Sequence, residues 1–436
     1  MAHHTLKSAY AKLTDRLNRF PQGAPPSALL YKILAMLFSE REAELVALLP
    51  IKPFTATQAS RAWRLDLVST RKVLEELAGR AILLDIMNGD DVTYALPPPM
   101  AGFFEFSMMR IRGDIDQKLL AELFYQYLNV EEDFVKTLFC EGTTRLGRTF
   151  VNESVITNDD ALHVLDYERA SEVITTASHI GVGMCYCRHK MEHMDRACSA
   201  PMNICMTFNT SAASLIRHGF AKRIDATECR ELLHEAQEHN LVQFGENVQK
   251  RVNFICNCCG CCCEAMLAAK RFGHLNPVHT TNFMPKVHAE ECTGCGICAT
   301  LCPVDAMALV VADDHAPVKR KIARIDETVC LGCGVCAKGC STGALTMNAR
   351  PARVITPVDS SHRVVMMAIE RGKLQDLIFD NRTLFSHRAL AAILGVILKL
   401  PPIKRSMARN QLQSRFLEKM IKRHEVKEEA QEKNEG

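Results

Sequence analysis

Eight cysteines between Cys292 and Cys340 fall into two copies of one pattern, C-x2-C-x2-C-x3-C: Cys292, Cys295, Cys298 and Cys302, then Cys330, Cys333, Cys336 and Cys340. Each member of the second copy follows its counterpart by 38 residues, so the spacing repeats as a unit. Three thiolates crowded on a tight loop grip three corners of an iron–sulfur cubane, and a fourth arrives from elsewhere. The glycines of Cys292-Thr-Gly-Cys-Gly-Ile-Cys298 and Cys330-Leu-Gly-Cys-Gly-Val-Cys336 let the backbone wrap closely and turn N–H groups toward the sulfurs. Zinc is the competing reading, but it prefers two separated C-x2-C knuckles that together make four ligands. The crowding favours iron and sulfide.

Over residues 285–350 the segment resembles a bacterial two-cluster ferredoxin module. In that family the fourth cysteine of each run serves the other cluster. The resemblance therefore implies one [4Fe-4S] cluster on Cys292, Cys295, Cys298 and Cys340, and a second on Cys330, Cys333, Cys336 and Cys302. The proline that follows the last cysteine in the family is present as Pro303 and replaced by Ser341 in the second copy, which alters a turn and removes no ligand.

A second thiol-rich zone lies upstream. Cys185-Tyr-Cys187-Arg188 is followed by Cys198 and Cys205, four thiols able to close one further cluster, with Arg188 and Lys190 offsetting its charge. Zinc suits the same four thiolates. A strand over Val252–Cys256 then runs into Cys256-Asn-Cys-Cys-Gly-Cys-Cys-Cys263, which adds Cys256, Cys258, Cys259, Cys261, Cys262 and Cys263. Strand alternation points Cys256 and Cys258 to one face, and Gly260 permits a turn that brings Cys261 to Cys263 nearby. The element Cys258-Cys259-Gly260 resembles one in heterodisulfide-reductase-like proteins, where such cysteines hold an unusual cluster at a catalytic site. Ten thiols exceed one cluster and suffice for two.

Other residues near the thiols have plainer expectations. His189 and His193 share a helix face, as ligands, proton carriers or solvated side chains. Met191, Met194, Met202 and Met206 are expected to pack around whatever is bound. Cys140 and Cys229 read as buried small hydrophobes, and Phe103, Phe104, Phe106, Met108 and Met109 as core packing.

The elements that must position these groups belong to a chain of 436 residues, long enough for several domains. Apolar residues make up 47%, charged residues 24%, and the formal net charge is only +3, so nothing global marks a nucleic-acid binder. The twenty cysteines cluster instead of spreading as a disulfide framework would, and no apolar h-region follows Met1. A cytoplasmic, iron–sulfur protein of anaerobic metabolism is expected. The fold class is α+β, in several domains. A polar arm to residue 27 precedes a winged-helix-like domain over 28–99, whose Thr55-capped helix, following helix and Asn88-Gly89-Asp90 hairpin carry the resemblance. A mainly helical cysteine-rich domain is expected over 101–283, the 2[4Fe-4S] module over 284–350, and a helical tail over 351–436. Arg353–Thr356 and Arg363–Glu370 read as strands that extend the ferredoxin core.

Asp85, Asp90 and Asp91 make the wing acidic, which disfavours DNA and favours a docking or scaffold role. Arg382 to Arg423 hold ten basic residues and one acid. With the apolar stripe Leu390, Ile393, Leu394, Ile397 and Leu398, this basic amphipathic tail suits an anionic membrane surface, which would place the protein peripherally at the inner face, or an acidic partner. The apolar run Ala389–Leu398 is too short to span a bilayer. The expected function is single-electron transfer through two [4Fe-4S] clusters, with at least one more centre upstream and redox partner proteins or an oxidoreductase complex outside. The alternatives are an iron–sulfur reductase with a substrate-binding central cluster, and a redox-sensing DNA-binding regulator. No flavin or nicotinamide fingerprint is present.

Overall fold

The computed structural model describes residues 2–89, 91–156, 164–312, 320–378, 396–397 and 400–412. It is a mixture of helices and antiparallel sheets, in keeping with the α+β expectation. Most of the basic tail, Asp90 and the last two dozen residues lie outside the described residues.

The amino-terminal arm is a helix, Ala2–Arg19. Tyr10, Leu13 and Leu17, at three- and four-residue spacing, are buried, and the buried Arg16 donates to the carbonyl of Leu49. Helices follow at Ala28–Leu37, Glu40–Ala47, Ala56–Trp63 and Leu67–Gly79. Ser27, Ser39, Thr55 and Asp66 cap them through side-chain oxygens. Strand β1 (Phe54–Thr55) pairs with β3 (Asp91–Ala95), which pairs with β2 (Leu84–Asn88) in the hairpin that Asn88-Gly89 signals. The hairpin is not a free wing. Asp85 is buried and accepts hydrogen bonds from Ser214 (2.6 Å), Arg217 and His218, on and just after helix Asn209–Arg217. Burial opposes ionisation of Asp85, but these three donors outweigh it and hold the carboxyl below its usual range. Asp85, expected as one of three acids on an open wing, is thus tied into the body of the protein.

The largest departure from expectation is the central region. It is built on a six-stranded antiparallel sheet of β4 (Gly147–Thr149), β5 (Ile180–Met184), β6 (Asn203–Phe208), β7 (Lys222–Arg223), β8 (Val242–Glu246) and β9 (Phe254–Cys258), in the order β4-β8-β9-β6-β5-β7. The mainly helical reading of 101–283 missed it, because short strands containing glycine, such as Ile180-Gly-Val-Gly-Met184, give weak period-two signals. One face of the sheet, with Ile180, Val182, Met206, Phe208 and Ile255, packs on helices Ala170–Thr176 and Ala226–Glu238. The other face carries thiols.

The first cysteine run lies between β10 (Phe283–Val287) and β11 (Met307–Val311) and the second between β12 (Lys321–Ile325) and β13 (Leu345–Ala349), with β10 paired to β13 and β11 to β12. Residues 353–356 are irregular, and Ser360–Glu370 is a helix capped by Asp359 instead of a strand. Its Val364 and Val365 suggested a strand, but the cap and the burial of Val365, Ala368 and Ile369 at helical spacing decide otherwise.

Candidate metal centres

In the carboxyl-terminal module, Gly294, Gly296, Gly332 and Gly334 all have φ between 69° and 84°, the left-handed conformation that wraps each loop. Cys292, Cys295, Cys298 and Cys340 line one small cavity. Cys302 lies instead with Cys330, Cys333 and Cys336, where burial, and then the neighbouring thiols, push the Cys333 thiol up to about 12 and raise Cys336 strongly. Backbone N–H groups point at sulfur, from Ala323 to Cys292, from Ala306 to Cys302 and from Gly332 to Cys330.

The two quartets differ in surroundings. Each has two buried cysteines, Cys292 and Cys298 in one and Cys330 and Cys336 in the other, but only the first has an exposed member, Cys295. The inner loop is bonded to the body of the protein: Asn152 N–H donates to the carbonyl of Cys333 and Thr281 N–H to that of Leu331, both at 2.9 Å. Cys330, Cys258 and Cys263 belong to one apolar core. Gly260 touches the module directly, since a Cβ there would lie 2.6 Å from the carbonyl oxygen of Pro303.

The ten upstream thiols divide differently from their order along the chain. Cys185, Cys187, Cys205, Cys256, Cys258 and Cys263 form one wall of a cavity of about 280 Å³, which Cys259, a member of a second thiol group, also lines. Alternation along β9 and β6 places Cys256, Cys258 and Cys205 on the cavity face. Cys185 and Cys263 are the N-cap residues of helices Tyr186–Glu192 and Glu264–Phe272. The thiols form a continuous chain of contacts, Cys205 to Cys256, Cys258, Cys263, Cys187 and Cys185. Sγ of Cys258 and Sγ of Cys263 are 3.1 Å apart. Hydrogen bonds from Cys187 and Cys258 lower Cys263 well below the usual thiol value, and Cys187, with help from Arg188, lowers Cys185 against the opposing effect of burial. Soft sulfur donors without hard ligands among them fit an iron–sulfur group.

Cys198 does not join the other three members of the expected upstream set. It gathers with Cys259, Cys261 and Cys262, their four sulfurs all within 4.8 Å of one another. Arg188 lies between the two sets, wholly buried. It donates to the carbonyls of Pro201 (3.0 Å) and Asn257 (2.8 Å), and its charge faces Cys185, Cys259 and Cys198. Lys190 does not offset thiolate charge as expected, because its ammonium is buried against Glu264 and donates to Asn129.

The remaining cavity lining is mostly apolar and includes Met100, Phe106, Met109, Phe139, Phe244 and Phe254. Of the aromatic and methionine run read as core, Phe106 and Met109 thus face the cavity. Met191, Met194, Met202 and Met206 do not line it. Glu105 does, accepting the Gly102 N–H at 3.0 Å. Burial pushes Glu105 to about 8, so it holds its proton at neutral pH. His189 bonds the Met108 carbonyl at 2.7 Å and packs against His193 with the rings tilted by 41°, and neither lines the cavity. Cys229 is fully buried with its sulfur against Met206, and Cys140 is half-buried. Sequence spacing missed Glu105, because the chain brings it to the thiols from about eighty residues upstream.

A family model described as a 4Fe-4S dicluster domain matches residues 291–344, which makes this segment a ferredoxin-like iron–sulfur domain. Among curated proteins and solved structures, none matches the chain. No described helix is long and apolar enough to cross a membrane.

Proposed function

We propose that this is an iron–sulfur electron-transfer protein whose ferredoxin-like module holds two [4Fe-4S] clusters and passes electrons inward to a further iron–sulfur group on the six-thiol wall. Cys292, Cys295, Cys298 and Cys340 would hold the outer cluster, and Cys330, Cys333, Cys336 and Cys302 the inner one. Cys185, Cys187, Cys205, Cys256, Cys258 and Cys263 supply more sulfur than one further group requires. When bound, these groups accept and release single electrons. The chain buries Cys330 and Cys336 of the inner quartet, leaves Cys295 open to an external redox partner, and sets Arg188 against the thiolate charge.

The observation that carries this reading is the contact of Gly260 with Pro303, beside Cys302. It places the thiol-rich loop against the inner half of the module. Stopped-flow reduction of the anaerobically purified protein tests it. The module should be reduced first and the upstream group second, and the second phase should vanish in Cys258→Ser. A single phase unchanged by that substitution would sink the inward route.

A second reading, an iron–sulfur reductase, is favoured by the apolar side of the cavity. Phe106, Phe139, Phe244 and Phe254 would shield a cluster from water, and they also give an apolar substrate a surface to bind. Glu105 would hold a proton for such a substrate. A substrate-dependent change in the reduced EPR spectrum that disappears in Cys258→Ser supports this reading. The winged-helix-like segment is read as a docking scaffold, since its hairpin is bonded to helix Asn209–Arg217. The redox partners and the membrane-surface role of the basic tail remain proposals of the sequence.

A further inference from the structure

The quartet Cys198, Cys259, Cys261 and Cys262 stands apart from both cluster sites in its dimensions. Sγ of Cys261 and Cys262 lie 3.6 Å apart, and Sγ of Cys262 and Cys198 4.0 Å. A single tetrahedral ion with metal–sulfur bonds of about 2.3 Å requires sulfurs about 3.8 Å apart. A cubane binds its four thiolates to four different irons, so it needs them spread by the width of the cluster. The ferredoxin-like module serves as an internal comparison. Among the described residues no other group of three or more His, Cys, Asp or Glu side chains closes to within 4.8 Å, and all eight module cysteines are described.

We propose that these four cysteines bind one zinc ion, a site separate from every iron–sulfur group. Four thiolates fill a tetrahedron and leave no open position, which is the hallmark of a structural site. In a tetrahedral sulfur site zinc outcompetes ferrous iron. A zinc tetrathiolate carries a net charge of −2, and Arg188, buried beside Cys198 and Cys259, offsets half of it. The same guanidinium ties Pro201, near Cys198, to Asn257, near Cys259, so the two ligand segments are held together. The zinc has a structural task. Cys258 and Cys263 flank the ligand run Cys259–Cys262, and pinning that run to Cys198 fixes both in the wall of the six-thiol cavity. Gly260, turning within the run against Pro303, leaves no room for a side chain.

The test uses the full chain, purified anaerobically with zinc and iron supplied. Metal analysis should give one zinc per chain, and zinc X-ray absorption four sulfur neighbours at about 2.3 Å. Cys261→Ser, at the exposed ligand, should lose zinc to a chelator at least tenfold faster with the iron content unchanged. If that variant does not fold, cobalt exchanged into the wild-type protein should give the visible spectrum of a tetrahedral tetrathiolate. Absence of zinc, nitrogen or oxygen neighbours in the wild type, a cobalt spectrum without thiolate charge transfer, or a loss of about four irons in Cys261→Ser would each overturn the assignment.

Discussion

Buried charge concentrates around the thiol cavity, and individual residues there have separable tasks. Lys190 and Glu264 are paired with side chains 0% and 3% exposed, and Asn129 bridges them. Removing one partner leaves a buried charge uncompensated, so Lys190→Met should cost about 3–5 kcal/mol. The double variant Lys190→Met/Glu264→Met should recover most of that loss in chemical denaturation. A single variant as stable as the parent would show that the pair is not closed in solution. Gly260→Ala tests the junction in a different way. The added Cβ would sit 2.6 Å from the Pro303 carbonyl, so the loop or the module must shift. Overall stability should fall by about 1–3 kcal/mol, and the second phase of reduction should slow more than the first. Equal slowing of both phases would mean that this contact does not set the route.

Helix Ser360–Glu370 shows how a single carboxylate can join elements. Glu370, whose side chain is 7% exposed, accepts hydrogen bonds from the backbone and hydroxyl groups of Thr143 and Thr144, and it pairs with Lys404 of helix Pro402–Leu412. Burial opposes its ionisation, but Lys404 and the threonine donors prevail and hold its pKa at about 2. A folded-state pKa below the unfolded one stabilises the fold above the unfolded value and loses that stabilisation as pH falls toward 2. Glu370→Gln should therefore cost about 3 kcal/mol at pH 7 and little at pH 2. An equal cost at both pH values would exclude the ion pair as the cause. What the sequence revealed at this scale follows the same physics. Caps at Ser27, Ser39, Thr55 and Asp66, and the Asn88-Gly89 hairpin, are local and could be read from neighbouring residues. The central sheet depends on pairing between strands as distant as Gly147–Thr149 and Val242–Glu246, and short strands leave little local trace. The module was legible because its ligands repeat at fixed spacing. The upstream thiols were legible as a zone but not as two sites, because the sorting of Cys198 away from Cys185, Cys187 and Cys205 is decided by the turn at Gly260 and the meeting of β6 with β9.

Across the whole molecule the thiols are arranged as a graded series. Cys295 faces solvent, the Cys330 loop is bonded into the body, and the six-thiol wall lines a mostly apolar cavity. That order suits electrons entering at the surface and ending where a group or substrate is shielded from water. Iron and acid-labile sulfide counting on the anaerobically purified chain, with Cys258→Ser alongside, tests this account most directly. At four irons per cubane, about twelve irons and twelve sulfides are predicted for the wild type, falling toward eight in Cys258→Ser. Eight irons in both proteins would contradict it.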